Sequence, residues 1–304
     1  MTILPSGEQF EIVSGEQRVV VVEVGGGLRE YSAANLPVLQ SYSMEEMCDG
    51  AHGAPLIPWP NRLRDGRYRF DGVDHKLPLS EPEKRNAIHG LLRWRPWRAS
   101  ERESSRVVVS VRLHPQPGYP FALDVSIAYE LSNAGLAVVT TAVNIGEQAC
   151  PYGAGQHPYV SPGEGLVDDC LLELPAQTRV VTDDERQLPT GSETVEGSEF
   201  DFRKPRRLND IRIDSAFTDL TRDAAGQAVS RISRPDGSCV ELWVDEHYPF
   251  IEVFTGDGLA PSRRRRGLAI EPMTCAPNAF ENGQGLVRLA PGQSLTSSWG
   301  IRVV

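Results

Sequence analysis

Two short segments far apart in the chain carry the residue types that acid–base chemistry needs: Gly153-Ala154-Gly155-Gln156-His157-Pro158-Tyr159 and Leu268-Ala269-Ile270-Glu271-Pro272-Met273-Thr274. One supplies an imidazole and the other a carboxylate behind an apolar run. Each is followed by a proline that restricts the local backbone. Brought onto one substrate, such a His and Glu would act as acid and base. Glu271 is placed at the end of a core strand, where burial is costly without hydrogen bonds or a function. The bland alternative is an ion pair with one of Arg263 to Arg266.

His89 lies in Asn86-Ala87-Ile88-His89-Gly90, where the glycine lets backbone or ligand approach the imidazole. The other four histidines, His52, His75, His114 and His247, stand in turn-like or charged contexts that suit surface or structural roles. Arg62, next to Asn61 in Pro58-Trp59-Pro60-Asn61-Arg62, has rigid and aromatic neighbours that suit a planar donor to hydroxyl or carboxylate oxygens. Asp214 is either an acceptor for ligand hydroxyls or a turn residue.

The elements that must position these residues are strands. Phe121, Leu123, Val125, Ile127, Tyr129 and Leu131 alternate with smaller or polar residues, as do Val107 to Leu113 and Val240 to Val244. Turn signals at Asp71-Gly72, Asn133-Ala134-Gly135 and Pro235-Asp236-Gly237 separate apolar runs and predict hairpins. No segment keeps a 3.6-residue apolar period for four turns, and 28 Gly with 23 Pro interrupt the chain too often for helices. The expected fold is all-β, one large antiparallel β-sandwich over residues 1–304, with strand signals from Gln17–Val24 to Leu295–Val303. Two long stretches, Ser43 to Arg67 and Thr182 to Asp214, read as loops that cover a site.

Composition narrows the partner. A net charge of −10 argues against nucleic acid, which requires a broad basic surface. There is no apolar run of membrane-spanning length and no secretory leader pattern, so a cytoplasmic location is expected, with no membrane partner. The five cysteines show no CxxC pair and read as reduced, packed thiols, Cys275 included. Gly25-Gly26-Gly27 reads as a hairpin turn rather than a nucleotide loop, and no His or Cys spacing suggests a metal site. A small polar molecule is the expected ligand, and a monomer and a homodimer both remain open.

In order and spacing, Asn61-Arg62, Asn86-x-x-His89-Gly90, His157-Pro158-Tyr159, Asp214-x-x-Phe217 and Glu271-Pro272-Met273-Thr274 resemble the aldose 1-epimerase (galactose mutarotase) family. The resemblance implies a β-supersandwich that binds a free aldohexose and needs no metal or organic cofactor. It implies Glu271 as the base at the anomeric hydroxyl, His157 as the acid at the ring oxygen and His89 as a second histidine nearby. Arg62 and Asp214, with Asn61 beside them, would hold the sugar. Such chemistry asks for an ionised Glu271 and a protonated His157 near neutral pH. Two departures, His89-Gly90-Leu91 in place of His-Gly-Gly and Val160 after His157-Pro158-Tyr159, point to an altered sugar pocket. The Arg263 to Arg266 run is either a solvated loop or a reader of phosphate or of an acidic sugar. The alternatives to a free-hexose epimerase are therefore a hexose-6-phosphate 1-epimerase and a carbohydrate-binding sandwich without catalysis.

Overall fold

The computed structural model describes residues 3–304. Two large sheets dominate, and their strand pairings are antiparallel. One has nine strands in the order Arg98–Arg102, Arg106–Leu113, Leu123–Ser132, Gly135–Asn144, Ser294–Val303, Cys239–Val244, Ala228–Ser233, Leu171–Glu173 and Arg206–Arg207. The alternation seen in sequence is kept: Leu123, Val125, Ile127, Tyr129 and Leu131 are all buried, each worth about 1.5–3 kcal/mol of apolar burial. All three predicted turns close hairpins, between Arg67–Phe70 and Val73–Lys76, Leu123–Ser132 and Gly135–Asn144, and Ala228–Ser233 and Cys239–Val244.

The second sheet has eight strands. Its path runs Pro189–Thr194, Ala176–Thr182, Asp214–Leu220, Phe250–Phe254, Leu268–Met273, Gly155–Gln156 and Pro55–Leu56, and Tyr159–Val160 also pairs with Leu268–Met273. Leu268, Ile270, Ile251, Val253 and Phe217 join the same apolar core as Val125, Ile127, Leu242 and Ile301 of the nine-stranded sheet. The two sheets thus face each other as a sandwich. One polar bridge crosses this core: Gln156 Nε2 donates to Tyr129 Oη at 3.0 Å, and Trp299 Nε1 donates to Gln156 Oε1 at 3.2 Å. Satisfying these buried groups removes the penalty they would otherwise impose.

A four-stranded sheet, Gln9–Ser14, Gln17–Val22, Leu28–Ala33 and Leu36–Pro37, packs against the end of this core. Its first strand precedes the predicted start at Gln17. Phe10 and Ile12 are buried in it, but Val13 is 44% exposed, which blurs the alternation. Gly25-Gly26-Gly27 lies in the hairpin joining the second and third strands, as expected. The two presumed loops hold short strands of their own, Pro55–Leu56, Arg62–Arg64, Pro189–Thr194 and Arg206–Arg207.

Gly53 ties the small sheet to the site. Its N–H donates to the His157 carbonyl at 2.8 Å, and its own carbonyl accepts from Leu28 N–H at 3.0 Å. With φ at +64° and Leu28 O only 1.8 Å from where a Cβ would lie, the position admits glycine alone. Gly53→Ala should lower stability by about 3 kcal/mol or more, measured by urea unfolding. A wild-type midpoint would show that this approach can relax without cost.

Candidate active site

The site is built on the face of the eight-stranded sheet turned away from the main core. Along Leu268–Met273 the even residues Leu268 and Ile270 face that core, while Ala269 and Met273 join small apolar clusters on the other face, so Glu271 points there too. It lies inside the strand, not at its end as the sequence suggested.

Register then places three ionisable groups in a row. Gly155 pairs with Met273 and Tyr159 with Ala269, so His157, midway between, stands opposite Glu271. On the other side Glu252 pairs directly with Glu271, and Ala216 pairs with Glu252. Side chains directly opposite on neighbouring strands have Cβ atoms about 5 Å apart. His157 Nε2 lies 3.1 Å from Glu271 Oε1, with side chains only 6% and 2% exposed. Asp214 lies on the same face as Ala216 and one step along the strand from this row.

A second unit brings His89 and Arg62. Arg62–Arg64 pairs with Asn86–Ile88, which puts Asn61 beside His89 at the end of this ribbon. Asn61 N–H donates to His89 Nδ1 at 3.2 Å, and Asn61 O accepts from His89 N–H at 3.0 Å. With Nδ1 accepting, a neutral His89 carries its proton on Nε2 as a free donor. The His89 and His157 rings meet edge to face at 5.4 Å between centroids. Arg62 donates through Nε and Nη2 to both oxygens of Glu81, at 2.9 and 3.1 Å, and its Nη1 lies 3.8 Å from Asp214 Oδ2. Asp214 also accepts from Gln187, a residue of the long segment that closes over this edge. All six residues expected from the sequence, Asn61, Arg62, His89, His157, Asp214 and Glu271, therefore converge on one surface.

Several partners escaped the sequence reading. Glu252 is 3% exposed, and one of its oxygens finds no partner. Its Phe-Ile-Glu-Val-Phe context looks like ordinary strand, and only the register reveals it. Glu81 fixes Arg62 from outside any recognised motif. Tyr159 stacks on His157 at 4.8 Å and on His52 at 3.8 Å. His52 is therefore structural but buried, its Nδ1 2.6 Å from Asp49 O and its Nε2 2.9 Å from Gln40 Oε1, and burial lowers its pKa to about 4. His75 stacks on Tyr68, and His247 pairs with Asp245. Cys275 is a packed thiol pushed up to about 12 by burial.

The charges differ from expectation. Burial pushes the Glu271 carboxyl well above its ordinary value, Asp214 adds to this, and Arg62 opposes it. Burial likewise pushes His157 well below its usual value, helped by His52 and Arg93. Both directions bias the pair toward a protonated carboxyl against a neutral imidazole and away from the ion pair expected from the sequence. The physical reason is that desolvation penalises both charged forms. The proton count is unchanged, since either arrangement holds one proton between two groups in contact. Glu271 Oε2 and His157 Nδ1 are buried without partners, so the site presents unsatisfied polar atoms.

The tetra-arginine run does not act as a unit, and none of its members pairs with Glu271. Arg265 is buried against Asp168 and Asp257, and Arg263 donates to Glu46 at 2.7 Å. Arg264 and Arg266 are exposed.

The sequence profile of the family described as aldose 1-epimerase matches residues 8–302. The chain is 36% identical over 295 residues to the uncharacterized protein YihR of Escherichia coli K12, covering 95% of this chain and 91% of that one. It is 29% identical over 233 residues to the galactose mutarotase of Rattus norvegicus, covering 67% and 64%. In structure it is similar to a putative aldose 1-epimerase of Escherichia coli K12, with a TM-score of 0.84 at 23% identity and coverage of 98% and 99%. The GalM/aldose epimerase homologue of C. elegans superposes with a TM-score of 0.86 at 19% identity over 98% of each chain.

Glu252 gives a test of these electrostatics. Burial first, then Asp214 and Glu271, hold its carboxyl well above the ordinary 4.5, against the pull of Arg62. A group raised on folding stabilises the native state below its unfolded pKa and loses that contribution as pH climbs toward the folded value. Glu252→Gln cannot ionise, so relative to wild type it should be more stable at about pH 8 than at about pH 4 in urea unfolding. A difference independent of pH would show that Glu252 is not held protonated.

Proposed function

This chain belongs to the aldose 1-epimerase family and is an isomerase, and on that premise we propose that it interconverts the α and β anomers of a free aldohexose. The observation that carries the proposal is the buried contact between His157 Nε2 and Glu271 Oε1 at 3.1 Å, with the second polar atom of each left unpartnered. A sandwich that only held sugar would have no use for such a pair, because burying it costs stability.

Opening a cyclic hemiacetal requires one proton taken from the C1 hydroxyl and one delivered to the ring oxygen. Glu271 takes the first and His157 gives the second, and closure after rotation about C1 reverses both transfers. A pair sharing one proton is suited to this, because a sugar inserted between the groups lets the proton held by Glu271 reach His157 while the carboxylate meets the C1 hydroxyl. Solvating the two charges with substrate hydroxyls, His89 Nε2–H and Arg62 offsets the desolvation that keeps the empty pair neutral. Asp214 and Asn61 offer further acceptors and donors to ring hydroxyls.

Polarimetry of freshly dissolved α-D-glucose and α-D-galactose tests the assignment. Glu271→Gln should lower the catalysed rate by about 10²- to 10⁴-fold with little loss of sugar affinity. Undiminished turnover in that variant would remove Glu271 from the mechanism.

For the hexose-6-phosphate alternative, the commitment of Arg263 and Arg265 to carboxylates leaves only exposed Arg264 and Arg266. Replacing both with Gln should change kcat/KM for glucose and for glucose 6-phosphate by the same factor. A selective loss with the phosphorylated sugar would restore the run as a phosphate reader.

A further inference from the structure

Among the described residues Arg93 is the half-buried guanidinium without a hydrogen-bond or ion-pair partner. The buried arginines all have one: Arg29 bonds Gln9 and pairs with Glu30, Arg62 with Glu81, Arg265 with Asp168 and Asp257, and Arg234 donates to the carbonyls of Ser161 and Pro37. The Arg93 guanidinium lies 5.8 Å from the ring centre of its neighbour Trp94. Burial depresses its pKa, and the only groups opposing this are Cys48 and Tyr159. Burial holds both well above their ordinary values, Cys48 at about 11, so neither supplies a negative charge near neutral pH. A cation withdrawn from water in this way calls for an anion.

Its position says where that anion belongs. The charge of Arg93 bears on His89 and His157, ahead of Arg62 on both, and not on Glu271, whose charged neighbours are Asp214 and Arg62. Arg62 therefore reaches both ends of the site, and Arg93 stands at the histidine end alone. Arg93 also borders a recess of only about 10 Å³, too small to hold the anion itself, with Cys48, His52 and Trp94 and no Asp or Glu in its wall. His52 stacks on Tyr159, which also stacks on His157, so the recess and the acid–base pair share one aromatic wall. Trp94, 52% exposed, offers a flat apolar surface beside it.

We propose that Arg93 receives a singly charged oxyanion, a carboxylate or a sulfate-like group, carried on C6 of the sugar. This rests on the epimerase assignment above. If Glu271 serves C1 and His157 the ring oxygen, the other neighbour of that oxygen is C5, and the C6 substituent extends past the histidines toward Arg93. One free guanidinium matches one negative charge and binds oxyanions through paired N–H donors. A phosphate carries about −1.5 to −2 near pH 7, which would leave charge unmatched here.

The test compares kcat/KM for anomer exchange of glucose, glucuronic acid, glucose 6-sulfate and glucose 6-phosphate in wild type, Arg93→Met and Arg93→Lys. Wild type should favour glucuronic acid or glucose 6-sulfate over glucose by about tenfold or more. That ratio should fall by about the same factor in Arg93→Met and by less in Arg93→Lys, which keeps the charge but loses the planar fork. Thermal melting checks that each variant folds, and the lysine variant serves if the methionine one does not. Wild-type turnover of glucose without preference for an anionic sugar would overturn the role of Arg93 and leave the epimerase assignment standing. A preference for the phosphate would overturn the single-charge match, and an unchanged ratio in a folded variant would overturn the residue. Failure to accelerate any sugar, glucose and galactose included, would instead strike the epimerase assignment itself.

Discussion

The antiparallel register of Leu268–Met273 between its two neighbours is the constraint on which the site depends. It sets His157 and Glu252 on either side of Glu271, all on one face of a sheet whose other face is sealed in the core. A slip of one residue would turn Glu271 into that core and present Ile270 to the site. The apolar requirement of the core and the polar requirement of the site are thus met by one strand, and each enforces the other.

Burial then sets the chemical character of the row. Three ionisable groups with little water between them cannot all be charged, so Glu271 and Glu252 are driven toward the protonated form and His157 toward the neutral one. Arg62 is the cation that moderates this, and Glu81 holds it by two hydrogen bonds so that one edge remains turned to Asp214. Glu271, Glu252 and His157 each keep one buried side-chain atom without a protein partner. A ligand rich in hydroxyl groups supplies what these atoms lack, and its arrival is what makes separated charge affordable.

Cations elsewhere divide by their partners. The four consecutive arginines are conspicuous in an acidic chain, but two of them are absorbed by Glu46, Asp168 and Asp257 and serve to anchor the loop that leads into Leu268–Met273. Arg93, inconspicuous between Leu92 and Trp94, is the one left without a carboxylate near the histidines. Abundance of charge is a property of the sequence, while availability of charge depends on which neighbours the fold supplies.

Strand alternation and turn residues were sufficient to show an all-β sandwich, because one-sided burial imposes a period of two wherever a strand has a core face and a solvent face. That signal is clear in Leu123–Ser132 and failed at Gln9–Ser14, where Val13 is exposed. The motifs around Asn61-Arg62, His89, His157, Asp214 and Glu271 were legible because prolines, glycines and apolar approaches mark them locally. Glu252, Glu81 and Arg93 were not, since nothing adjacent in the chain distinguishes them from ordinary strand or surface residues. The direction in which burial biases the pair was not legible either, since desolvation depends on what surrounds a group in space. The sequence by itself determined the strand period, the hairpins and the residue types available for acid–base chemistry, all of which follow from local sterics and burial pattern. Only the tertiary structure decided which of those residues face one another and in what charge state, because register and desolvation arise from contacts between segments distant in the chain.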